Sequence, residues 1–356
     1  MTEPLVISVD AMGGDHGPSV VVPGVALAAR QLPANVRFLL HGEEEALARE
    51  LKACAALQGR TEVRAAASVI AMDEKPAQAL RRGKGSSMWN AVEAIRGGEA
   101  AAAVSAGNTG GLMAISKLIL RMNSDLDRPA LVASWPGARG VTSVLDVGAN
   151  VDCDAERLVE FAILGEAFHR AAHGIQRPTV GLLNVGSEEM KGHEEVRGAH
   201  RILREGRFEL DYRGFVEGDD LTKGAVDVVV TDGFTGNVAL KAAEGVFRFM
   251  SASLRQTLTS TPLAKVGALL ARPALEAFRQ RLSPRVAAPL LGLNGVVVKT
   301  HGGASEQEIA DAVHMAADLA QSDFAAQIER NMSRLNAAVH PPPAADGVPP
   351  SDPSSA

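Results

Sequence analysis

Short apolar runs alternate with longer amphipathic ones along most of the chain. Leu5–Asp10, Val36–Leu40, Ala100–Ser105, Ala130–Ser134, Val141–Val147, Thr179–Asn184, Val228–Val230 and Val296–Thr300 are small-apolar or β-branched runs of strand length. Thr61–Ala67 and Gly214–Glu217 are weaker strand candidates. Between them, helical spacing predicts Ser19–Gln31, Glu43–Leu57, Lys75–Arg82, Trp89–Arg96, Leu112–Arg121, Ala155–Ala172, Glu194–Glu205 and Val238–Met250 as helices. Ser305 and Glu308 have capping-box spacing at the head of a last helix expected to run to about Asn336. Continuous apolar strands alternating with helices predict a doubly wound α/β fold, its mostly parallel sheet covered by helices on both faces. The glycine-rich turns follow strands. The pattern therefore gathers the turns after Asp10, Ser105, Asp146, Asn184 and Thr231 at one carboxyl edge, where open α/β sheets bind ligands.

Chemistry concentrates in those turns. After Val228–Val230 comes Thr231-Asp-Gly-Phe-Thr-Gly-Asn237, where Gly233 and Gly236 are expected to form a turn before a helix. Free backbone N–H groups and a helix N-terminus attract anions, and Asp232, Thr235 and Asn237 add hydrogen-bonding side chains. The plainer reading is that these three residues only cap the helix. Gly107-Asn108-Thr109-Gly110-Gly111 repeats the arrangement without dinucleotide or P-loop spacing. Its readings are an anion cradle or tight helix–strand packing. Gly13-Gly14-Asp15-His16-Gly17 is similar, with Asp15 and His16 either acid–base groups or structural. Lys191 lies in a glycine-rich turn past a strand, placed to neutralise phosphate or an oxyanion, or simply solvated beside Glu188, Glu189, Glu194 and Glu195. Lys84 carries the same two readings.

Composition narrows the class. A net charge of −6 and 4% aromatic residues argue against a nucleic-acid binder, which needs a basic footprint and stacking platforms. Cys54 is expected inside a helix, and Cys153 stands at a helix entry between carboxylates, where a thiol resists ionisation. Neither is in metal-ligand spacing, and no metal-ligand cluster is visible. No signal segment or membrane-length apolar run is visible, which makes the cytoplasm the expected compartment. One stretch departs from the acidic balance. Residues 251–285 hold six basic residues against Glu276 alone. Leu263, Val266 and Leu270, then Leu275, Phe278 and Leu282, recur there at helical spacing, flanked by Arg272 and Arg279. Such a segment can lie on an anionic membrane, receive an acidic partner, or cover a dimer or core face. One domain is expected over residues 1–337, with a disordered Pro-rich tail over 338–356.

Read in order, Val9-Asp-Ala-Met-Gly-Gly-Asp15, Ser105-Ala-Gly-Asn-Thr-Gly110, Asp146-Val-Gly-Ala-Asn150, Asn184-Val-Gly-Ser-Glu-Glu189 with Lys191-Gly192, Thr231–Asn237 and Pro289-Leu-Leu-Gly-Leu-Asn294 resemble the bacterial phosphate acyltransferases of phospholipid synthesis, the PlsX family. The resemblance spans roughly Leu5 to Asn331. It implies transfer of a fatty acyl group from acyl carrier protein to inorganic phosphate. The expected transfer to phosphate requires no metal or organic cofactor. It also implies a homodimer on a fold akin to isopropylmalate dehydrogenase and phosphotransacetylase. Further implications are peripheral contact with the inner face of the cell membrane and hand-over of product to a glycerol-phosphate acyltransferase. The matching positions make Lys191 and Asn237 the expected catalytic residues. The strand-end turns supply the residues expected around the phosphate: Asp10, Gly13, Gly14, Asp15, His16, Gly107, Asn108, Thr109, Gly110, Asn150, Asn184, Gly186, Glu188, Asp232, Gly233, Thr235 and Gly236.

Overall fold

The buried β-branched runs assemble into a single sheet, with eleven strands among the described residues. A computed structural model of the chain describes residues 4–123, 126, 128–206, 208–282 and 287–339. The first part of the chain supplies β1 (Val6–Asp10), α1 (Pro18–Gln31), β2 (Arg37–Gly42), α2 (Glu44–Leu51), β3 (Thr61–Ala65), α3 (Pro76–Arg82), α4 (Ser87–Arg96), β4 (Ala102–Ser105) and α5 (Thr109–Leu120). A central hairpin, β5 (Ala130–Gly137) and β6 (Gly140–Leu145), follows. Next come α6 (Ala155–His173), β7 (Thr179–Leu183), α7 (Glu194–Glu205), β8 (Asp211–Val216), α8 (Asp220–Lys223), β9 (Val228–Val230) and α9 (Gly233–Leu258). The chain then forms α10 (Pro262–Leu270) and α11 (Arg272–Leu282), returns through β10 (Ala288–Leu291) and β11 (Val296–Lys299), and ends in α12 (Glu306–Gln321) and α13 (Phe324–Val339).

Strand order is β3-β2-β1-β4-β11-β10-β5-β6-β9-β7-β8. Seven of the ten neighbouring pairs are parallel, and helices cover both faces, as the apolar pattern predicts. Consecutive residues of β11 show the two faces. Val297 packs in a cluster with Val92, Leu112 and Ile115 of α4 and α5, while Val298 joins Val25 and Val313 of α1 and α12.

One expectation needs correction. The strand ends do not share a single carboxyl edge. The pairs β11–β10, β10–β5 and β5–β6 are antiparallel, so β6, β9, β7 and β8 run opposite to β1, β2, β3, β4 and β11. The registers show why a common crevice still forms. Leu131 pairs with Leu290, and Ala288 and Pro289 pair with Lys299 and Val298. Continuing that ladder sets Leu131 level with Val297, Ala103 and Ser8. Val132 pairs with Leu145, and Leu145 with Val230. The ends of β1, β4 and β11 therefore lie within one residue's rise, about 3.3 Å, of the ends of β6 and β9. Two half-sheets pointing in opposite directions, offset along the strands, bring their carboxyl ends to the middle.

Other boundaries shift for local reasons. The helix expected over 43–57 stops at Leu51, and Cys54 starts a 3-10 turn rather than sitting mid-helix. The last helix breaks between Gln321 and Phe324, where the Ser322 hydroxyl turns back to the Leu319 carbonyl. The Ser305–Glu308 capping box is present. Strand β10 was hidden in the Pro289-Leu-Leu motif because Pro at a strand start resembles a turn signal. The tail from residue 340, and residues 283–286 of the basic segment, lie outside the described residues.

The glycines opening α9 do not form a turn. Both are helical, and they let the helix sit directly on the loop after β6. A Cβ on Gly236 would lie 2.0 Å from the Asp146 carbonyl oxygen, and one on Gly233 would lie 2.4 Å from that of Asn150. Backbone is the obstacle, so little can yield. Gly236→Ala is expected to cost about 1–3 kcal/mol through overpacking, read as a lower Tm. An unchanged Tm would mean that α9 is not seated on this loop.

Candidate active site

Where the two sets of strand ends meet, a pocket of about 390 Å³ opens over the middle of β5. Its floor is Leu131–Ser134. Thr109 and Met113 of α5 form one wall, and Val147 and Gly148 after β6 with Asn237, Leu240, Lys241 and Glu244 of α9 form another. Lys299, Thr300 and His301, at the end of β11, close it. Both half-sheets contribute.

Each half is organised by a buried aspartate at the end of a central strand. Asp10, at the end of β1, accepts a 2.7 Å hydrogen bond from the Ser105 hydroxyl. The glycines around it permit close approach: a Cβ on Gly13 would lie 2.6 Å from Asp10 Oδ2 and 2.8 Å from the Gly107 nitrogen. Gly14 has φ +91° and packs on the Gly302 carbonyl, to which Asp15 donates its backbone N–H at 2.8 Å. Asp15 and His16 themselves are exposed. In the other half, Asp146 accepts from the Leu131 nitrogen at 2.9 Å and from both the backbone and side-chain nitrogens of Asn150. Burial raises the pKa of both carboxyls, and the hydrogen bonds they accept pull it back down. Their work is to fix loops.

Several residues expected at the ligand are engaged structurally. Asn108 caps α5, accepting from the Gly111 nitrogen at 2.8 Å, while its amide donates to the carbonyls of Ala71, Met72 and Glu74. Gly107 and Gly110 give room to Met88 and Pro76. The Asn150 amide also donates to the Pro129 carbonyl at 3.0 Å. Asp232 caps α9, accepting from the Thr235 nitrogen at 2.8 Å and the Thr235 hydroxyl at 2.7 Å. The capping reading thus describes Asp232 and Thr235. Asn237, one turn on, lines the pocket with Thr109, and its side chain faces Gly148, where a Cβ would lie 3.6 Å away.

The turn after β7 stands apart. Lys191 is half-exposed, paired with Glu188 at 2.8 Å, and that carboxylate raises the lysine's pKa. Asn184 donates to the Lys191 carbonyl at 3.1 Å, and Gly186 packs on the Lys191 and Glu188 side chains. None of these residues lines the pocket. By strand order the turn lies next to that of β9.

Two features escaped the sequence reading. The first is Lys299, only 6% exposed, lining the pocket from a strand end. It lies inside the run Val296–Thr300 expected as a strand; a lysine there, before His301-Gly-Gly303, is the available signal. The second is a groove of about 670 Å³ that shares Ser134, Leu240, Glu244 and His301 with the pocket. It continues past Trp135, Pro136, Ala243, Val246, Phe247 and Met250. It joins β5 to α9, a pairing that no local pattern announces. Cys153 resists ionisation as the sequence predicts, with burial as the larger cause. Burial first, then Asp146 and Asp232, pushes its thiol up to about 12, against a pull from the Gly233 backbone.

Comparison with known proteins agrees with this geometry. The model of a family described as "Fatty acid synthesis protein" matches residues 5–327. A phosphate acyltransferase of Phenylobacterium zucineum is 73% identical over 350 residues, covering 98% of this chain and 100% of that one. The phosphate acyltransferase of Caulobacter vibrioides is 63% identical, with 99% and 98% covered. Among solved structures, a phosphotransacetylase from Streptococcus pyogenes shares the fold at a TM-score of 0.61 and 16% identity, with 90% and 95% covered. The chain belongs to the phosphate acyltransferase family of fatty acid synthesis proteins and is an acyltransferase.

Proposed function

We propose that this enzyme moves a fatty acyl group from the thioester of acyl carrier protein to inorganic phosphate, making acyl phosphate for phospholipid synthesis. The observation that carries the reading is the continuity of a pocket that gathers Thr109, Asn237, Lys299 and His301 with a larger and more apolar groove. A small hydrophilic nucleophile suits the first, and a long acyl chain suits the second. In this reading phosphate lies between Thr109 and Asn237. One of its oxygens attacks the thioester carbonyl, a C–O bond forms, and a tetrahedral oxyanion results. The oxyanion collapses, the C–S bond breaks, and the carrier thiolate leaves to take up a proton. Phosphate is already an oxygen nucleophile at neutral pH, so the protein's task is positioning and charge stabilisation.

Asn237 can donate its amide to the oxyanion from the pocket wall. Lys191 is assigned to the oxyanion or the leaving thiolate, which requires its exposed turn to release Glu188 and swing toward α9. A covalent acyl-enzyme on Cys153 is disfavoured by the raised pKa of its thiol. Direct transfer is the route.

Peripheral membrane contact is part of the same proposal. Among described residues α10 buries none of its own, and Leu263 and Leu270 are 82% and 80% exposed beside Lys265 and Arg272. Val266 and, on α11, Phe278 extend this apolar surface; the side chain of Arg279 lies outside the described ones. Apolar residues among cations suit an anionic bilayer surface. None of the described helices is long and apolar enough to cross a membrane. A homodimer, with hand-over of acyl phosphate to a membrane glycerol-phosphate acyltransferase, completes the reading.

Three outcomes follow. Long-chain acyl carrier protein and phosphate should yield a hydroxylamine-trapped acyl product; product from acetyl-coenzyme A alone would point to a short-chain phosphotransacetylase. Asn237→Ala should lower kcat by about 100-fold with little change in KM for the acyl carrier, and normal turnover would remove Asn237 from the mechanism. Leu270→Glu should weaken flotation with anionic vesicles by at least about tenfold, whereas unchanged binding would mean that this face does not insert.

A further inference from the structure

Of the cations lining the pocket, Lys299 is the one whose charge lacks a described counter-ion. Lys241 is paired with Glu244 at 3.0 Å. Lys299 has no carboxylate within 4.0 Å among the described residues, although it is almost wholly buried. Its Nζ donates only to the Thr300 carbonyl and, weakly at 3.5 Å, to that of Ala106. An ammonium carries three donors and a full charge, and burying it without an anion is unfavourable. Asp10 and Asp15 act on it from beyond pairing distance. They favour the charged form, but burial outweighs them and brings the pKa down to about 8.

We propose that Lys299 is the phosphate-binding cation of this site, holding the anion beneath the N-terminal ends of α5 and α9, where Thr109 and Asn237 reach it. The assignment rests on the acyltransferase reading above and adds to it the residue that neutralises the nucleophile. Lys191 does not fill that role in this geometry, since it already has Glu188 and lies outside the pocket. The N-terminus of α5 opens beside Lys299, so its dipole adds to the attraction. A bound dianion stabilises the ammonium. The empty site should therefore bind phosphate fully below about pH 8 and lose affinity as Lys299 gives up its proton above it.

The test is binding of inorganic phosphate to the full chain by calorimetry, from about pH 7 to about pH 9.5, beside the acyl-phosphate assay. The other charged groups facing this space are Asp10, Asp15, His301, Lys241 and Glu244, and they are the same in every variant. Wild-type affinity should fall by about tenfold per pH unit well above pH 8. Lys299→Arg, charged throughout, should lose that slope. Lys299→Met should bind phosphate at least about tenfold more weakly near pH 7, without the slope, and with KM for the acyl carrier little changed. A Met variant that keeps wild-type affinity and slope overturns the proposal. If neither variant folds, a wild-type affinity that does not fall above pH 8 overturns it alone. Failure of the broader reading looks different: phosphate binds as described, but the wild type forms no acyl phosphate.

Discussion

Everything at this site depends on the chain turning back on itself between β5 and β6. That hairpin is one of the few antiparallel contacts in a mostly parallel sheet, and it reverses the direction of everything beyond it. In an ordinary doubly wound sheet all the carboxyl ends share one edge, and a ligand rests on it. Here two half-sheets point opposite ways and are offset, so their carboxyl ends face each other across β5. The ligand space is enclosed from two sides. Two reactants can then be held by separate sets of loops, which suits a transfer between two bound molecules.

The halves solve the same local problem in the same way. Each ends a central strand in a buried aspartate, and each crowds glycines against that carboxylate or its loop. Asp10 is bound by Ser105 and approached by Gly13; Asp146 is bound by Leu131 and Asn150 and approached by Gly233. A carboxylate that accepts several hydrogen bonds fixes a loop more tightly than apolar packing could. The glycines are there because no side chain fits. Many polar residues of the glycine-rich motifs are thus part of the frame, whereas the pocket is lined by Thr109 at the start of α5, Asn237 one turn into α9, and Lys299 and His301 at a strand end.

Much of the fold was legible because buried parallel strands and amphipathic helices carry their periods openly. Val228–Val230 and the Ser305–Glu308 capping box were found by such local signals. Sheet direction was not, since an antiparallel hairpin at β5–β6 is a long-range fact, and β10 begins at a proline-containing run. The same limit governs the site. Local pattern could say that Thr231–Asn237 heads a helix near an anion-attracting turn. Only packing separates Asp232 and Thr235, which cap that helix, from Asn237, which faces the pocket. Lys191 was conspicuous among carboxylates in sequence, whereas Lys299 was concealed at the end of an apolar strand. Burial, which sequence does not print, is what distinguishes the two.

The central claim is that the nucleophile sits between the two half-sheets, over β5. The most direct measurement is a crystal structure of the protein soaked in inorganic phosphate. The account predicts an anion within hydrogen-bonding distance of Lys299, Thr109 and Asn237. An anion bound instead at the exposed turn of Glu188 and Lys191, with the central pocket holding only water, would contradict it.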